Sequence, residues 1–355
     1  MDDLGEALRA QVEEAAARRT PLAIVGGASK GFFGRQAEGA LLRLDGHRGV
    51  IDYEPTELVI TARSGTPLAE IEAVLAEQRQ MLAFEPPHFG MTATLGGAIA
   101  CGLSGPRRPY AGAARDFVLG ARIVNGQGEI LRFGGQVMKN VAGYDVSRLM
   151  VGALGTLGVL LEVSLKVLPQ PVAEMTLSRQ CAPEQALDWL ARWAGQPLPL
   201  SASCFVDDRL YVRLSGTATG VEAAQRAIGG DRIEAGGSFW RSIAEHTHPF
   251  FTTDATDRIL WRLAVPAATP PLSPPGRWLL DWGGAQRWLY TEASSASIRE
   301  AVEQVGGHAQ QFRGGDRRAE VFHPLSAPLA SVHRKLKAAF DPQGILNPGR
   351  LYRDW

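Results

Sequence analysis

The 355-residue chain has no surplus of either charge, with 37 Lys+Arg against 37 Asp+Glu. Nucleic-acid binders carry a basic face that neutralises phosphates. Neither the overall balance nor any local basic run supplies one, so no nucleic-acid partner is expected. A polybasic membrane anchor is excluded on the same ground. Cysteine is scarce: Cys101, Cys181 and Cys204 are far apart and odd in number. That suits neither a disulfide framework nor the clustered ligands of a zinc or iron–sulfur site, so no metal is expected. The longest apolar run, Leu149 to Leu161, is broken by three glycines and a threonine. It falls short of the roughly 20 residues that span a bilayer. Asp2, Asp3 and Glu6 stand where a secretory signal would be basic and then apolar. A cytoplasmic, reducing compartment is therefore expected.

What is present is a core-sized share of hydrophobic residues, 45%, on a chain long enough for two domains. Residues 2–18 read as an amphipathic helix capped by Asp2 or Asp3, with Leu4, Leu8, Val12 and Ala15 on one face. Leu22–Val25, Leu41–Leu44 and Leu58–Ala62 read as strands, and a second helix starts at Thr66 (cap) and Pro67. Residues 86–113 read as a long working loop. Residues 122–131 read as a hairpin turning on the positive φ angles of Asn125-Gly126. Residues 172–265 alternate strand and helix, five prolines fall in 266–276, and Trp278–Tyr290 reads as a strand pair around Gly283-Gly284. Residues 296–305 and 328–340 read as helices, the latter ended by Asp341-Pro342, and no internal repeat is visible.

Four segments suggest chemistry. Gly26-Gly27-Ala28-Ser29-Lys30-Gly31 follows a strand, where small residues let successive N–H groups converge on an anion. It has neither the Walker A order nor the Rossmann spacing. Gly90–Ala100, continuing through Ser104 and Gly105, is dense in small residues, with hydroxyls at Thr92, Thr94 and Ser104. Gly152-Ala153-Leu154-Gly155-Thr156-Leu157-Gly158-Val159 enters a strand, and Asn347-Pro348-Gly349-Arg350 closes the chain. Each alone has a structural explanation in a tight turn or close packing.

In this order and spacing, with Lys139-Asn140-Val141-Ala142-Gly143-Tyr144-Asp145 between them, the segments resemble the vanillyl-alcohol oxidase/p-cresol methylhydroxylase flavoprotein family. The likeness is strong over residues 1–170 and clear over the last 35 or so. It implies an α+β fold. A two-subdomain PCMH-type FAD-binding domain would span residues 1–170 and a smaller α+β cap domain residues 171–320. A segment over 321–355 would return to the flavin. It also implies that Gly26, Gly27, Ala28, Ser29, Lys30 and Gly31 cradle the FAD diphosphate. Thr92, Thr94, Gly96, Gly97, Ala100 and Ser104 would line the path to the ring, Gly158 and Val159 the adenine half, and Asn347 the ring side. No histidine follows Gly27 at the family's covalent-attachment position, so FAD would be non-covalent.

The short length, the loop around Lys30, Gly-Pro-Arg-Arg-Pro at 105–109 and Val321-Phe322-His323-Pro324-Leu325 are similar to a subunit of glycolate-oxidising complexes. That likeness implies a second FAD-binding subunit, an iron–sulfur subunit, oxidation of glycolate to glyoxylate and electrons passed to the respiratory chain. It also implies peripheral attachment to the inner face of the cytoplasmic membrane through the complex. Two family features are missing: the acid in the third glycine segment, and the cap motif His-x-Gly-Asp-Gly-Asn, nearest to which stands Gly314-Gly315-Asp316-Arg317-Arg318. The catalytic candidates are therefore thin: His323, Tyr144 and Lys139. His246-Thr247-His248 would share a face on a strand but lacks a third ligand. The tryptophans of the middle region read as core before interface. An autonomous dehydrogenase of another 2-hydroxy acid, and a scaffold with a structural flavin, stay open as alternatives. The retained glycines count against a vestigial site.

Overall fold

The computed structural model describes residues 3–135, 145–252 and 258–355. The helix Gly5–Arg18 buries Leu8, Val12 and Ala15, and its start is held by the Asp3 carboxylate, which accepts the Gly5 N–H at 2.8 Å. Arg19 at φ +52° ends it. Leu22–Val25 then pairs in parallel with Ala40–Arg43. Leu346 bridges to Leu22 from the other side, so the chain's end completes a small three-part ribbon.

The adjoining five-stranded antiparallel sheet runs in the order Val50–Glu54, Val59–Arg63, Val159–Lys166, Val118–Val124, Ile130–Gly134. Its middle strands are covered on both faces and read as almost continuous apolar runs. Val159 and Leu161 pack with Leu8 and Val12 of the first helix. Val163 and Leu165 pack instead with Leu68, Ile71 and Leu75 of the helix Leu68–Glu77.

Three local expectations change. Pro67, not Thr66, precedes the helix Leu68–Glu77, because the Thr66 hydroxyl is spent on the Arg63 carbonyl at 2.7 Å and the Gly49 N–H at 2.9 Å. Residues 86–113 are not all loop: they hold the helix Leu95–Cys101, capped by the Thr94 hydroxyl on the Gly97 N–H, and the short helix Arg108–Ala111. The hairpin turn takes its positive φ at Gly128, while the Asn125 side chain accepts the Gln127 and Glu129 N–H groups. Gly126 is glycine for another reason: a Cβ there would fall 2.3 Å from Asp341 Oδ1.

Residues 173–313 build an eight-stranded antiparallel sheet ordered Asp231–Ile233, Ala173–Gln180, Arg209–Gly216, Leu200–Val206, Arg277–Asp281, Gln286–Thr291, Ile259–Ala264, His308–Arg313. A repeat that the sequence conceals emerges here. Each half runs strand, hairpin, helix, strand in the same spatial order, and the halves meet at Leu200–Val206 against Arg277–Asp281. The helix Pro183–Ala194 of the first half is replaced by the proline-rich 266–276 in the second. Trp240, Trp261, Trp282 and Trp288 are buried, as expected of core residues. Among the described residues no helix is long and apolar enough to cross a membrane.

Candidate functional site

Where Leu22–Val25 ends, the chain leaves the ribbon with Ala28 at φ +59°. The backbone N–H groups of Gly26, Gly27, Ala28 and Ser29 have no acceptor among the described residues. Four consecutive free donors in a half-buried turn form an anion-binding concavity. They open on a cavity of about 480 Å3, within the range of cofactor sites. Its cations are Lys30, Arg317 and Arg350, and neither a carboxylate nor a histidine lines it among the described residues. Burial holds the Lys30 ammonium below its ordinary pKa, a loss partly offset by the charge of Glu245. Arg350 is pushed down to about 10, first by burial and then by the neighbouring charge of Arg317. Desolvated cations facing one pocket without a carboxylate favour an anionic ligand. The Cys101 thiol, also at the pocket, is raised to about 11 by burial and stays protonated near neutrality.

The glycines serve a purpose other than the expected one. A Cβ on Gly27 would lie 1.4 Å from the Thr92 carbonyl oxygen, one on Gly26 2.5 Å from the Thr94 hydroxyl, and one on Gly96 2.7 Å from Ser64 Cβ. These glycines let two parts of the protein touch; what they leave open to a ligand is the row of N–H groups. Their retention is therefore explained by packing and says nothing by itself about a ligand.

The C-terminal segment is clasped to the same place. The Asn347 side chain accepts the Ile24 N–H at 2.8 Å and donates to the Leu154 carbonyl at 2.6 Å. Behind it the buried Lys337 ammonium donates to Asp341 Oδ2 (2.6 Å), the Leu346 carbonyl (2.7 Å) and the Thr156 carbonyl (2.9 Å). Arg350 donates to the Phe33 and Arg35 carbonyls, and Arg317 to that of Gly34. The final residues thus brace both the Gly26 turn and the Gly152–Gly158 turn.

The cavity brings together Gly26, Gly27, Ala28, Ser29, Lys30, Gly31, Thr94, Gly97, Ala100 and Asn347. A smaller slot of about 60 Å3 adds Gly96 and Gly158 and shares Gly26, Thr94, Gly97, Ala100 and Asn347 with it. Three expected residues lie elsewhere. Thr92 is exposed, its hydroxyl donating to the Gly27 carbonyl. Val159 is buried in the core. The Ser104 hydroxyl accepts the Ala114 N–H, and Ser104 lines a different cavity. The His323 ring turns to Glu303 at 3.2 Å and reaches neither cavity. Lys139 and Tyr144 lie outside the described residues. His246 and His248 follow a helix, not a strand: His246 stacks on Phe251 with ring centroids 3.9 Å apart, and His248 packs against Phe239. Sequence reasoning gives no role to Arg317, Arg350 or Ser64, which line the cavity and the slot. The signal for Arg350 was its place at the end of the fourth segment, directly after Asn347-Pro348-Gly349.

The donor row, the carboxylate-free cationic lining and the long cavity fit FAD, a dinucleotide whose diphosphate carries the charge. Residues 5–134 match the family described as FAD binding domain, and residues 313–351 that described as FAD linked oxidases, C-terminal domain. Among solved structures, p-cresol methylhydroxylase with substrate bound superposes with a TM-score of 0.75 at 14% identity, covering 99% of this chain and 88% of that one. Alkyldihydroxyacetonephosphate synthase gives 0.65 at 14% identity over 97% of this chain and 74% of its own. The fold is of the PCMH type, and fold and site together define an FAD-dependent oxidoreductase. Glycolate oxidase subunit GlcE of Escherichia coli K12 is 50% identical over 352 residues, 99% of this chain and 98% of that protein. The chain belongs to the glycolate oxidase subunit GlcE family. Glycolate oxidase subunit GlcD of Bacillus subtilis is 34% identical over 142 residues, 39% of this chain and 30% of its own.

Proposed function

We propose that this chain is the FAD-binding subunit of a complex that oxidises glycolate to glyoxylate. In this reading a GlcD-like flavoprotein carries the substrate chemistry, and a GlcF-like iron–sulfur subunit passes the electrons on to the respiratory chain, on the inner face of the cytoplasmic membrane. FAD supplies the two-electron acceptor; it is held by Gly26–Gly31, Thr94, Gly96, Gly97, Ala100, Gly158 and Asn347 without a covalent link. One observation carries the division of labour. Oxidising a hydroxy acid requires a positioned base for the hydroxyl proton. Among the described residues the flavin cavity is lined by no carboxylate and no imidazole, and its thiol is protonated.

A second reading, an autonomous dehydrogenase of another small 2-hydroxy acid, has one observation in its favour. Behind Phe89 a second cavity is lined by His246, Arg262, Asp281 and Gln286. Arg262 Nε donates to Gln286, which donates to Asp281. The cavity holds about 20 Å3, room for a single water, which favours the first reading. Affinity purification of the chain from its native cells is the test. Recovery of a longer flavoprotein and a cysteine-rich iron–sulfur protein in fixed ratio supports the complex. Recovery of the chain alone, with flavin reduced by some hydroxy acid in a substrate screen, supports the second reading.

A further inference from the structure

The helix Ala327–Phe340 reverses the usual arrangement of a surface helix. The side chain it buries is the charged Lys337, while Leu329 and Val332 are 52% and 53% exposed. Pro328, Leu329, Val332, Lys335 and Ala339 are all exposed, and helical spacing gathers them on one face. The helix contains no acidic residue. Arg334 and Lys335 are exposed and have no ion-pair partner among the described residues. The first helix, Gly5–Arg18, has the same length and the ordinary arrangement. It buries Leu8, Val12 and Ala15, and its cations are paired, Arg9 with Glu6 and Glu13 and Arg18 with Glu14. A helix face meant for water interleaves both signs in this way.

We infer that this face docks on the GlcD-like subunit, with Leu329 and Val332 as the apolar centre and a carboxylate of the partner set against Lys335. The inference rests on the function proposed above. An unpaired cation beside exposed apolar side chains fits a protein surface of opposite charge. A second copy of the chain does not fit, because a two-fold contact between two such faces would set cation against cation with no acid between them. A lipid surface is the poorer match: helices that lie in a membrane interface carry a broad apolar face and many cations, and this face has two large apolar side chains and one lysine. Position selects the subunit. The helix belongs to the part of the chain that frames the cavity proposed for FAD, since Lys337 donates to the Thr156 and Leu346 carbonyls next to Asn347 in the cavity wall. In the proposed function the GlcD-like subunit oxidises the substrate, so it is the partner that must come against this part.

The test measures assembly, not turnover. The chain is co-expressed with its two partner subunits, and the complex is purified through a tag on this chain. A carbodiimide, which joins an amine to a carboxylate in contact with it, should link Lys335 to an Asp or Glu of the GlcD-like subunit, read by mass spectrometry of the linked peptides. Val332→Asp, which sets a charge in the apolar centre, should weaken capture of that subunit by more than about 30-fold. Lys335→Glu should weaken it by at least about 10-fold, and Lys335→Arg should restore it. FAD bound as in the wild type by each variant shows that it is folded. Capture of the GlcD-like subunit by Val332→Asp and Lys335→Glu as by the wild type would overturn the inference. So would a Lys335 link to the iron–sulfur subunit or to a second copy of the chain. Loss of binding to anionic vesicles in the variants, with the complex intact, would give the face to a membrane instead. A wild-type chain that captures neither partner would overturn the complex itself, and with it the proposed function.

Discussion

Lys30 lines the cavity proposed for FAD, with its ammonium on the His88 carbonyl at 3.1 Å and above the Phe89 ring at 5.9 Å. Its desolvation makes the charge strong where a diphosphate arrives. Charge-assisted hydrogen bonds contribute about 1.5–3 kcal/mol, so Lys30→Met should weaken FAD roughly 10- to 100-fold in a fluorescence titration and flatten the salt dependence of binding. Asp281 is a residue-scale case of a different kind. It is 3% exposed, accepts from the Trp282 N–H (2.7 Å) and Gln286 (3.1 Å), and is raised from 3.8 to about 7, chiefly by burial. Between these values the folded chain holds a proton that the unfolded chain has released. Stability should therefore fall as pH rises from about 4 to about 7 and level off above, by up to about 4 kcal/mol from this group. Asp281→Asn, isosteric and uncharged, should remove that slope in denaturant unfolding followed across pH; an unchanged slope would assign it to other groups.

At the scale of elements, the C-terminal helix Ala327–Phe340 packs Leu336 and Phe340 against the core and buries one charged side chain, Lys337. Lys337→Met leaves Asp341 buried with a charge it can no longer pair. Breaking a buried pair in this way costs about 3–5 kcal/mol, and the loosened Asn347 clasp should also weaken FAD. Chemical denaturation should show the loss, and pairing the change with Asp341→Asn should return part of it. Period and punctuation made the helices around Leu8, Leu68 and Lys337 legible, together with the strand before Gly26 and the strand pair around Gly283-Gly284. The helix Leu95–Cys101 was not legible, because Gly96-Gly97 in its first turn count against a helix, and the Thr94 cap together with packing against Ser64 and the sheet holds it. Ser64 and Lys337 were invisible for a related reason: the Leu161 and Gly96 partners of Ser64 and the Thr156 partner of Lys337 are distant in sequence, and the local Lys337–Asp341 pair looks like any surface i,i+4 pair.

At the scale of the molecule, the eight-stranded sheet is locked onto the flavin-binding part through charge. Arg107 and Arg213 both donate to Glu85 Oε1, at 3.2 and 2.7 Å, and Arg107 reaches Glu174 at 2.9 Å. Trp282 donates to the Gly105 carbonyl at 3.0 Å. The Gly-Pro-Arg-Arg-Pro run, first read as a likeness, is thus the physical joint between the two bodies. Phe32, Phe89 and Phe312 pack edge-on together, and Phe89 and Phe312 line the small second cavity. In the function proposed above, a chain built this way holds FAD and leaves substrate oxidation to a partner. The most direct measurement is anaerobic rapid mixing of the purified, flavin-loaded chain with glycolate, followed by flavin absorbance. The flavin should stay oxidised in the isolated chain and be reduced only when the GlcD-like subunit is added. Prompt bleaching of the isolated chain by glycolate would contradict it.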